Sequence, residues 1–331
     1  MVVVPFVEDT MTEESLKMQG PTRKPNSRNP RVAVILRTHL LNEKFYDLLD
    51  ILSRSEMYDL FVAVDETAGV VKVPNYKKLP HTVDSARNFG LCPNHPNILW
   101  HCCDYALYFS AAQIQDYQYY IMIEYDVDFV RRSPEFVERL ISELSKPAPP
   151  DFVAAAFHQA SPDWCWTEAA ARQFSVVYYT SIFAFVAVSG RALNYLLERR
   201  KREARDCHSA QDIVNCEAFC GSALAEGGYS CVSMNELIDG AVNFSTFHPP
   251  VPVLSHSQYL LNQYIVSDPK IEIIHPVYDL RHYLEKQFKK FRDLRQLDPF
   301  VTELKQIRTT RTWEADLISD YRRICLELEE S

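Results

Sequence analysis

Glycine is scarce in this chain, with 8 glycines among 331 residues. Such a composition disfavours folds that bind phosphate groups through repeated glycine-rich loops. No uninterrupted apolar run reaches the length that a membrane span needs. Residues 1–6 are apolar, but this segment has no basic residue and is shorter than the apolar region of a signal peptide, and Glu8 and Asp9 follow it. We therefore expect neither a transmembrane helix nor a secretory signal.

The chain has 9 cysteines but no Cys-x-x-Cys pair. Structural zinc sites normally take ligands from short-spaced pairs of this kind, so the sequence disfavours such a site. The cysteines are irregularly spaced, and we expect them to be reduced in a cytoplasmic protein. The formal net charge of -9 and the pI of 5.6 disfavour nucleic acid as a partner.

The order of apolar segments predicts an α/β fold. Residues 32–36 and 60–64 read as short buried strands, and residues 42–55 between them have the apolar spacing of a helix. This βαβ unit implies parallel strands joined by a right-handed crossover. We therefore expect a mostly parallel central sheet flanked by helices. Further strands are predicted at 119–129, 152–157, 175–188, 229–232 and 271–274, and further helices at 101–117, 133–145, 190–205 and 211–225.

The segment from Tyr119 to Phe129 is an apolar run that ends in acidic residues at every second position. Glu124, Asp126 and Asp128 would point to one side of a regular strand. Three neighbouring carboxylates repel one another unless water or a cation neutralises them. Because Mg²⁺ and Mn²⁺ prefer carboxylate and phosphate oxygens, this Asp-x-Asp motif predicts a metal site that holds a nucleotide diphosphate. An acidic strand end that faces water is the alternative.

Polar residues also follow the first two predicted strands. Arg37 and Thr38 come after the first, and Asp65 comes after the second. Ligands of open α/β sheets bind beyond the carboxyl ends of the strands. We therefore expect Arg37, Thr38, Asp65 and Glu124 to line a nucleotide site.

This order of motifs resembles that of the nucleotide-sugar-dependent glycosyltransferases of the GT-A fold, over roughly residues 31–276. The resemblance implies a GT-A-like, Rossmann-like sheet whose first strand opens the nucleotide site at Arg37. It implies that Asp65 contacts the base or ribose. It also implies that Asp126 and Asp128 bind a divalent metal, Mn²⁺ or Mg²⁺, on the diphosphate.

The resemblance further implies a catalytic base and a third metal ligand. In inverting members of that family, an acidic residue at the start of a later helix deprotonates the acceptor hydroxyl. Glu217 is the first candidate here and Asp212 the second, while His275 after the last core strand would complete the metal shell. Glu217 is flanked by Cys216 and Ala218, where the family usually has a second acid. This departure leaves the base and the inverting outcome open.

Trp164 and Trp166 form a second cluster of interest, with Asp163 and Glu168 beside them. Aromatic faces stack on sugar rings, and carboxylates bind sugar hydroxyls. We therefore assign both tryptophans to the nucleotide-sugar or acceptor pocket. The alternative is a tryptophan pair that packs a loop onto the core.

Three regions are predicted along the chain. Residues 1–30 read as a flexible leader, residues 31–278 as a GT-A-like catalytic domain, and residues 279–331 as a helical C-terminal extension. Residues 281–311 carry nine Lys and Arg against four Asp and Glu, with aromatic residues between them. A helix of this kind can lie on an anionic membrane surface, or it can pack on the catalytic domain with a solvated basic face.

The predicted function is metal-dependent glycosyl transfer in polysaccharide biosynthesis. We expect the transfer to invert the configuration of the sugar. The donor would be a nucleotide sugar, with a UDP-sugar favoured, and the acceptor a glycan or a lipid-linked glycan. We expect a cytoplasmic protein, at the inner face of a membrane if the basic segment binds lipid. One rival is a sugar-nucleotidyltransferase, which normally needs a glycine-rich loop where this chain has Arg37-Thr38-His39-Leu40. The other is a non-catalytic carbohydrate-binding or scaffold protein with the same fold.

Overall fold

The computed structural model describes residues 30–180, 183–247, 253–254, 269–294, 296–305, 307 and 312–329, and the predicted leader lies almost wholly outside them. The strands in chain order are β1 (Val32–Thr38), β2 (Asp59–Asp65), β3 (Lys77–His81), β4 (Tyr119–Glu124), β5 (Asp128–Phe129), β6 (Phe152–Ala154), β7 (His158–Gln159), β8 (Tyr178–Tyr179), β9 (Phe185–Ser189), β10 (Cys231–Ser233), β11 (Val253–Leu254), β12 (Ile273–Ile274) and β13 (Val277–Tyr278).

The helices in chain order are α1 (Glu43–Ser53), α2 (Val83–Asn88), α3 (Ile98–His101), α4 (Asp104–Gln113), α5 (Glu135–Leu144), α6 (Thr167–Ala171), α7 (Gly190–Asp206), α8 (Cys216–Glu226), α9 (Met234–Leu237), α10 (Phe244–Phe247), α11 (Leu280–Asp293), α12 (Leu297–Leu304) and α13 (Thr312–Glu329). A short 3-10 helix, Ala210–Asp212, precedes α8.

A seven-stranded sheet in the order β10-β6-β9-β4-β1-β2-β3 forms the centre of the molecule. β4, β1, β2 and β3 run parallel, while β9 runs antiparallel to both β4 and β6. Side chains of β1 alternate between the two faces, so that Ala33 and Ile35 join one hydrophobic core and Val34 and Leu36 the other. A strand that is buried on both faces reads as a continuous apolar run. The predicted α/β class, with a mostly parallel sheet flanked by helices, is confirmed.

Three segments differ from their predicted form. No strand was predicted in residues 69–97, but they contain the edge strand β3, in which Pro80 is tolerated because an edge strand has one unpaired side. Residues 119–129 were predicted as a strand, but β4 ends at Glu124 and β5 begins at Asp128, whereas residues 175–188 contain two strands, β8 and β9, in agreement with the one or two expected there. The helix predicted from residue 211 starts later, at Cys216, where Asn215 caps it by accepting a hydrogen bond from the backbone N–H of Glu217.

A buried ion cluster positions the loop before α8. Arg200 on α7 is fully buried, and its guanidinium bonds Asp104 at 2.8 Å and Glu203 at 2.6 Å. The same guanidinium donates to the backbone carbonyl of Val214 at 2.8 Å, and the N–H of Val214 donates to Glu203 at 2.9 Å. The start of α8, which carries Glu217, is therefore tied to α7 by charged groups that have no access to water.

Cys92 and Cys207 form a disulfide that joins the loop before α3 to the end of α7. The expectation that all cysteines are reduced is therefore wrong for this pair. The other cysteines of the described chain are not disulfide-bonded. The sequence carried no sign of the pairing, because the two residues are 115 positions apart and belong to no spaced motif.

The C-terminal helices α11, α12 and α13 have a hydrophobic core of their own, which includes Tyr283, Leu284 and Phe300. Asp279 caps α11 and also accepts a hydrogen bond from Asn42, the N-cap residue of α1. None of the described helices combines the length and the apolar character that crossing a membrane requires. The three predicted regions and the membrane contact of 281–311 stay predictions, and Arg295, Arg308 and Arg311 of that segment lie outside the described residues.

Candidate active site

The carboxyl ends of the parallel strands bring several predicted residues to one edge of the sheet. Arg37 near the end of β1 is the register partner of Glu124 at the end of β4. The guanidinium of Arg37 forms an ion pair with the Glu124 carboxylate, and it donates a further hydrogen bond to the carbonyl of Leu99 at 2.5 Å. Arg37 therefore joins the acidic end of β4 to the start of the α3–α4 region.

The chain turns sharply after β4, so Glu124, Asp126 and Asp128 do not lie along one regular strand. The N–H of Val127 donates to the carbonyl of Glu124 at 3.1 Å, which closes the turn. β5 then pairs antiparallel with β12, with Asp128 opposite Ile274. On the other side of the turn, the N–H of Val277 donates to the carbonyl of Asp126 at 2.7 Å.

Each of the three acidic residues has a basic partner from a different part of the chain. Glu124 pairs with Arg37 of β1. Oδ1 of Asp126 lies 3.4 Å from Nε2 of His275, and Oδ1 of Asp128 lies 3.5 Å from Nζ of Lys44 on α1. The repulsion expected from the sequence is thus offset by three positive or ionisable groups, of which the sequence analysis did not connect Lys44 with the motif.

Glu124, Asp126 and His275 form a group that could hold a metal ion, since one ligand atom from each lies within 4.8 Å of the others. Oδ1 of Asp126 is buried, and its 3.4 Å ion pair with Nε2 of His275 is not aligned as a hydrogen bond. A buried carboxylate oxygen that lacks a hydrogen-bond donor is well satisfied by a cation. Two carboxylates and one imidazole suit Mn²⁺ and related divalent ions, so the residues present fit the predicted metal.

Asp128 lies outside this group. Its Oδ1 accepts the backbone N–H of Phe129 at 2.9 Å, and its carboxylate faces the ammonium of Lys44. The side chains of Asp128 and Lys44 are each 2% exposed, so both are shielded from water. The predicted role of Asp128 as a metal ligand stays a prediction, but the geometry pairs it with Lys44.

The charges of the cluster shift the pKa values of two of its members. Burial is the largest single effect on the pKa of Asp126 and would raise it, but the contact with His275 and the charge of Lys44 together outweigh burial and hold that pKa below its usual value. Burial is also the largest single effect on the pKa of His275 and would lower it, but the contact with Asp126 and the charge of Glu124 together outweigh burial and raise that pKa. The two groups therefore stabilise each other as an ion pair in the absence of a metal.

Glu217 lies at the start of α8, close enough to the cluster for its charge to interact with those of Glu124 and His275. Burial raises the pKa of Glu217 to about 7, although hydrogen bonds from the Trp166 side chain and the Phe183 backbone lower it. The side chain is only partly buried. A carboxylate with a pKa near neutrality is suited to accept a proton at physiological pH.

Asp212, the second candidate for the base, has a structural role in the 3-10 helix. Its carboxylate accepts hydrogen bonds from the backbone N–H groups of His208 at 3.0 Å and Ser209 at 2.6 Å, and from the hydroxyl of Ser209 at 2.9 Å. These bonds lower the pKa of Asp212. The structure thus brings Glu217, and not Asp212, into electrostatic contact with the acidic cluster.

The two tryptophans lie on the loop before α6 and are partly exposed. The Trp166 ring meets the ring of His101 edge-on, with centroids 5.4 Å apart, and its side chain hydrogen-bonds with Glu217. The Trp164 ring meets that of Tyr179 edge-on at 4.6 Å. Both tryptophans therefore pack partly against the core and keep part of their surface exposed, and Trp166 lies beside Glu217.

Thr38 and Asp65 make local hydrogen bonds at their strand ends. The hydroxyl of Thr38 accepts the N–H of Leu40 at 3.1 Å, and Asp65 accepts the N–H of Thr67 at 2.9 Å. Asp65 lies opposite His81 in the register of β2 and β3.

Sequence reasoning missed Lys44 and His81. Lys44 precedes Leu48 by one helical turn, so it lies on the apolar stripe of α1, and this spacing was the available signal for burial. His81 is 2% exposed, and neither of its ring nitrogens has a hydrogen-bond partner among the described residues. Its strand was not predicted, so no signal for this histidine was available.

The mostly parallel sheet expected from the sequence is thus present, with an acidic turn at its carboxyl edge. No protein-family model matches the sequence, and no curated protein matches it either.

Three solved structures are similar to this chain in part. A mycobacterial protein aligns over 50% of this chain and 55% of its own, little more than half its length, at 15% identity and a TM-score of 0.33. An active-site mutant of LgtC aligns over 71% of this chain and 78% of its own, at 9% identity and a TM-score of 0.37. A glycosyltransferase involved in the glycosylation of the major capsid of PBCV-1 aligns over 74% of this chain and 92% of its own, at 10% identity and a TM-score of 0.34. Because these TM-scores are low, we base the functional proposal on the side chains of this chain.

Proposed function

We propose that the protein is a metal-dependent glycosyltransferase that moves a sugar from a nucleotide sugar, with a UDP-sugar favoured, to a glycan acceptor. The observation that carries this proposal is the group of Glu124, Asp126 and His275, whose ligand atoms lie within 4.8 Å of one another and include a buried Asp126 oxygen that no aligned hydrogen bond satisfies. The charge of Glu217, a carboxylate with a pKa of about 7, interacts with this group. A divalent cation site beside a potential base suits transfer of a group that leaves on a diphosphate.

Glu124, Asp126 and His275 would hold the metal, Mn²⁺ or Mg²⁺. The imidazole among the ligands favours Mn²⁺. When bound, the cation supplies positive charge for the diphosphate leaving group. Arg37 keeps the Glu124 carboxylate in place through its ion pair and its bond to the Leu99 carbonyl.

Glu217 would act as the general base. Its carboxylate takes the proton of an acceptor hydroxyl while that oxygen bonds to the anomeric carbon of the donor. The bond from the anomeric carbon to the diphosphate oxygen breaks in the same step, so the configuration inverts. The Trp166 side chain orients the Glu217 carboxylate through its hydrogen bond and favours the ionised form that a base needs.

Thr38 and Asp65 would contact the nucleotide at the ends of β1 and β2, and Trp164 and Trp166 would stack on sugar rings beside Glu217. This assignment rests on their positions at one edge of the sheet and on the exposed surface that the two tryptophans keep. The nucleotide would bind beside the local hydrogen bonds of Thr38 and Asp65, or it would replace them.

Thermal-shift measurements with UDP, GDP and CMP and their sugar conjugates, each with and without Mn²⁺, test the proposal. We expect one nucleotide to raise the unfolding temperature only when Mn²⁺ is present. Asp126→Asn and His275→Ala should abolish that shift. Asp84→Asn, which changes an exposed carboxylate on α2, is the matched control and should keep it.

The products of a turnover assay separate the rival functions. Release of a nucleoside diphosphate supports glycosyl transfer, whereas release of pyrophosphate would identify a nucleotidyltransferase. A protein that binds glycans but shows no metal-dependent nucleotide shift would be a binding or scaffold protein.

A lipid-linked acceptor is part of the same proposal, because Lys286, Lys289 and Lys290 of α11 are exposed. A basic helix face of this kind binds anionic vesicles through charge. We expect the protein to co-sediment with phosphatidylglycerol vesicles at low salt. Replacing the three lysines by glutamine should abolish co-sedimentation, and equal binding by the variant would exclude this contact.

A further inference from the structure

We propose that Lys44 is a positioning residue that holds the Asp126 turn in place for metal binding, and that Asp128 is its counter-ion and does not ligate the metal. This inference rests on the metal site of the proposed function. It concerns a lysine that carries no recognisable motif in the sequence.

The ammonium of Lys44 reaches from α1 to the inside of the acidic turn. Nζ donates a hydrogen bond to the carbonyl of Val127 at 2.6 Å and lies 3.5 Å from Oδ1 of Asp128. Both side chains of the ion pair are 2% exposed. Lys44 therefore contacts the backbone of the residue between Asp126 and Asp128, and it does so from a helix that is itself packed in the core.

The described contacts of the Asp128 carboxylate lie outside the metal group. One oxygen, Oδ1, accepts the Phe129 N–H at 2.9 Å and faces Lys44. The same residue starts β5, which pairs with β12 directly before His275. Asp128 therefore secures the strand pair that carries His275, and turning its carboxylate toward a metal would break the buried ion pair.

The position of His275 depends on the same turn from both sides. Asp128 is paired with Ile274, the residue before His275, and the carbonyl of Asp126 accepts the N–H of Val277, two residues after it. A shift of the Val127 carbonyl would therefore move Asp126 and His275 relative to each other. Groups of this kind, which contact metal ligands and not the metal, typically change metal affinity by about 10- to 100-fold when they are lost.

Direct Mn²⁺ binding to the purified full-length protein tests the inference without any need for turnover. Free Mn²⁺ is measured by electron paramagnetic resonance during titration of wild type, Lys44→Met, Asp128→Asn and the double variant. Lys78→Met is the matched control, because Lys78 also pairs with a carboxylate, Glu66, at 2.6 Å but does not contact the acidic turn. Circular dichroism checks that each variant is folded.

We expect Lys44→Met to raise the Kd for Mn²⁺ by about 10- to 100-fold, while Lys78→Met leaves it unchanged. Asp128→Asn should weaken binding less than Lys44→Met does, because an amide oxygen can still accept the Phe129 N–H. The loss in the double variant should be smaller than the product of the two single losses, as expected for residues that act as a pair.

The opposite pattern would overturn the inference. If Asp128 were a ligand, Asp128→Asn would lose most of the Mn²⁺ binding and Lys44→Met would bind like wild type. Lys44→Met leaves Asp128 charged and buried and could therefore fail to fold. In that case the double variant, which removes both charges, tests the inference. Wild-type Mn²⁺ affinity in a folded double variant would exclude a positioning role, whereas no Mn²⁺ binding by wild type would overturn the metal site itself.

Discussion

Nε2 of His275 lies 3.4 Å from Oδ1 of Asp126, although the two residues come from distant parts of the chain. The pairing of β5 with β12 and the bond from the Val277 N–H to the Asp126 carbonyl bring them together. The candidate ligands therefore depend on backbone pairing between segments that are far apart in sequence. This arrangement explains why a short acidic motif alone describes only part of the site.

Glu217 is expected to be essential for transfer. Because its pKa is about 7, its carboxylate is progressively protonated as the pH falls below 7. We therefore expect kcat/KM to fall on the acid side of about pH 7 and to reach a plateau above it. Glu217→Gln should lower kcat by about 10²- to 10⁴-fold on the plateau above pH 7 and by less at lower pH, where the wild-type base is itself protonated. A variant with wild-type activity would show that another group accepts the proton.

Trp166→Phe should move this pH profile in a defined direction. The hydrogen bond from the Trp166 side chain favours the ionised form of Glu217, so its loss should raise the pKa of that carboxyl. The acid limb of kcat/KM should therefore move to higher pH. Trp164→Phe, whose ring contacts Tyr179 and not Glu217, is the control and should leave the limb in place. Identical profiles for wild type and Trp166→Phe would argue against the assigned base.

His81 should make the protein less stable in acid. Burial is the main cause that lowers the pKa of His81 to about 4, from the usual 6.5. Between these values the unfolded chain binds a proton that the folded protein does not. Stability is therefore fully present above about pH 6.5 and is lost by about 1.4 kcal/mol per pH unit as the pH falls toward 4.

His81→Leu isolates this contribution, because the ring nitrogens make no hydrogen bond within the described part of the chain. The difference in free energy of unfolding between wild type and the variant is measured by urea titration at pH 7 and pH 5. We expect wild type to lose more stability than the variant over this interval. Equal losses would mean that His81 is not buried in its neutral form.

Arg200→Met should destabilise the fold strongly. The substitution leaves the carboxylates of Asp104 and Glu203 buried without their partner. Breaking a buried pair in this way costs about 3–5 kcal/mol. Arg199→Met, next to it on α7, removes a partly exposed pair with Glu226 and should cost no more than about 1 kcal/mol. Urea titrations that gave equal losses for the two variants would contradict the structure of the cluster.

The Cys92–Cys207 disulfide should contribute to stability through the unfolded state. It closes a loop over a sequence separation of 115, and bonds of this kind typically add about 2–4 kcal/mol. The double substitution of both residues by serine should lower the urea midpoint, and reductant should lower the midpoint of wild type but not that of the double variant. Cys165→Ser, at an exposed free thiol, is the control and should change neither the urea midpoint nor its response to reductant.

The parts of the fold that could be predicted from sequence are those in which local pattern and burial agree. β1, β2 and β4 are apolar runs buried on both faces, and α7 has both a cap and a clear amphipathic pattern. β3 was missed because Pro80 interrupts its pattern and only Leu79 and His81 face inward. A pattern of two inward residues is too short to distinguish an edge strand from a loop.

The sequence analysis named most residues of the candidate site but did not predict how they are arranged. Alternation along a regular strand would have placed Glu124, Asp126 and Asp128 on one side, yet the turn after β4 separates Asp128 from the other two. The role of Lys44 depends on a long-range contact with the Val127 carbonyl, which no local pattern contains. Residues that act through such contacts become visible only when the backbone path is known.

The three acidic residues of the motif are close together in the chain, but their basic partners come from β1, from α1 and from the segment after β12. A polypeptide that ends before His275 would contain the complete Asp-x-Asp motif and still lack both a candidate metal ligand and the group that balances the charge of Asp126. During synthesis, the site would therefore form only after most of the described chain has been made. Affinity for a divalent cation would then report on completion of the whole fold, and not on the presence of the motif.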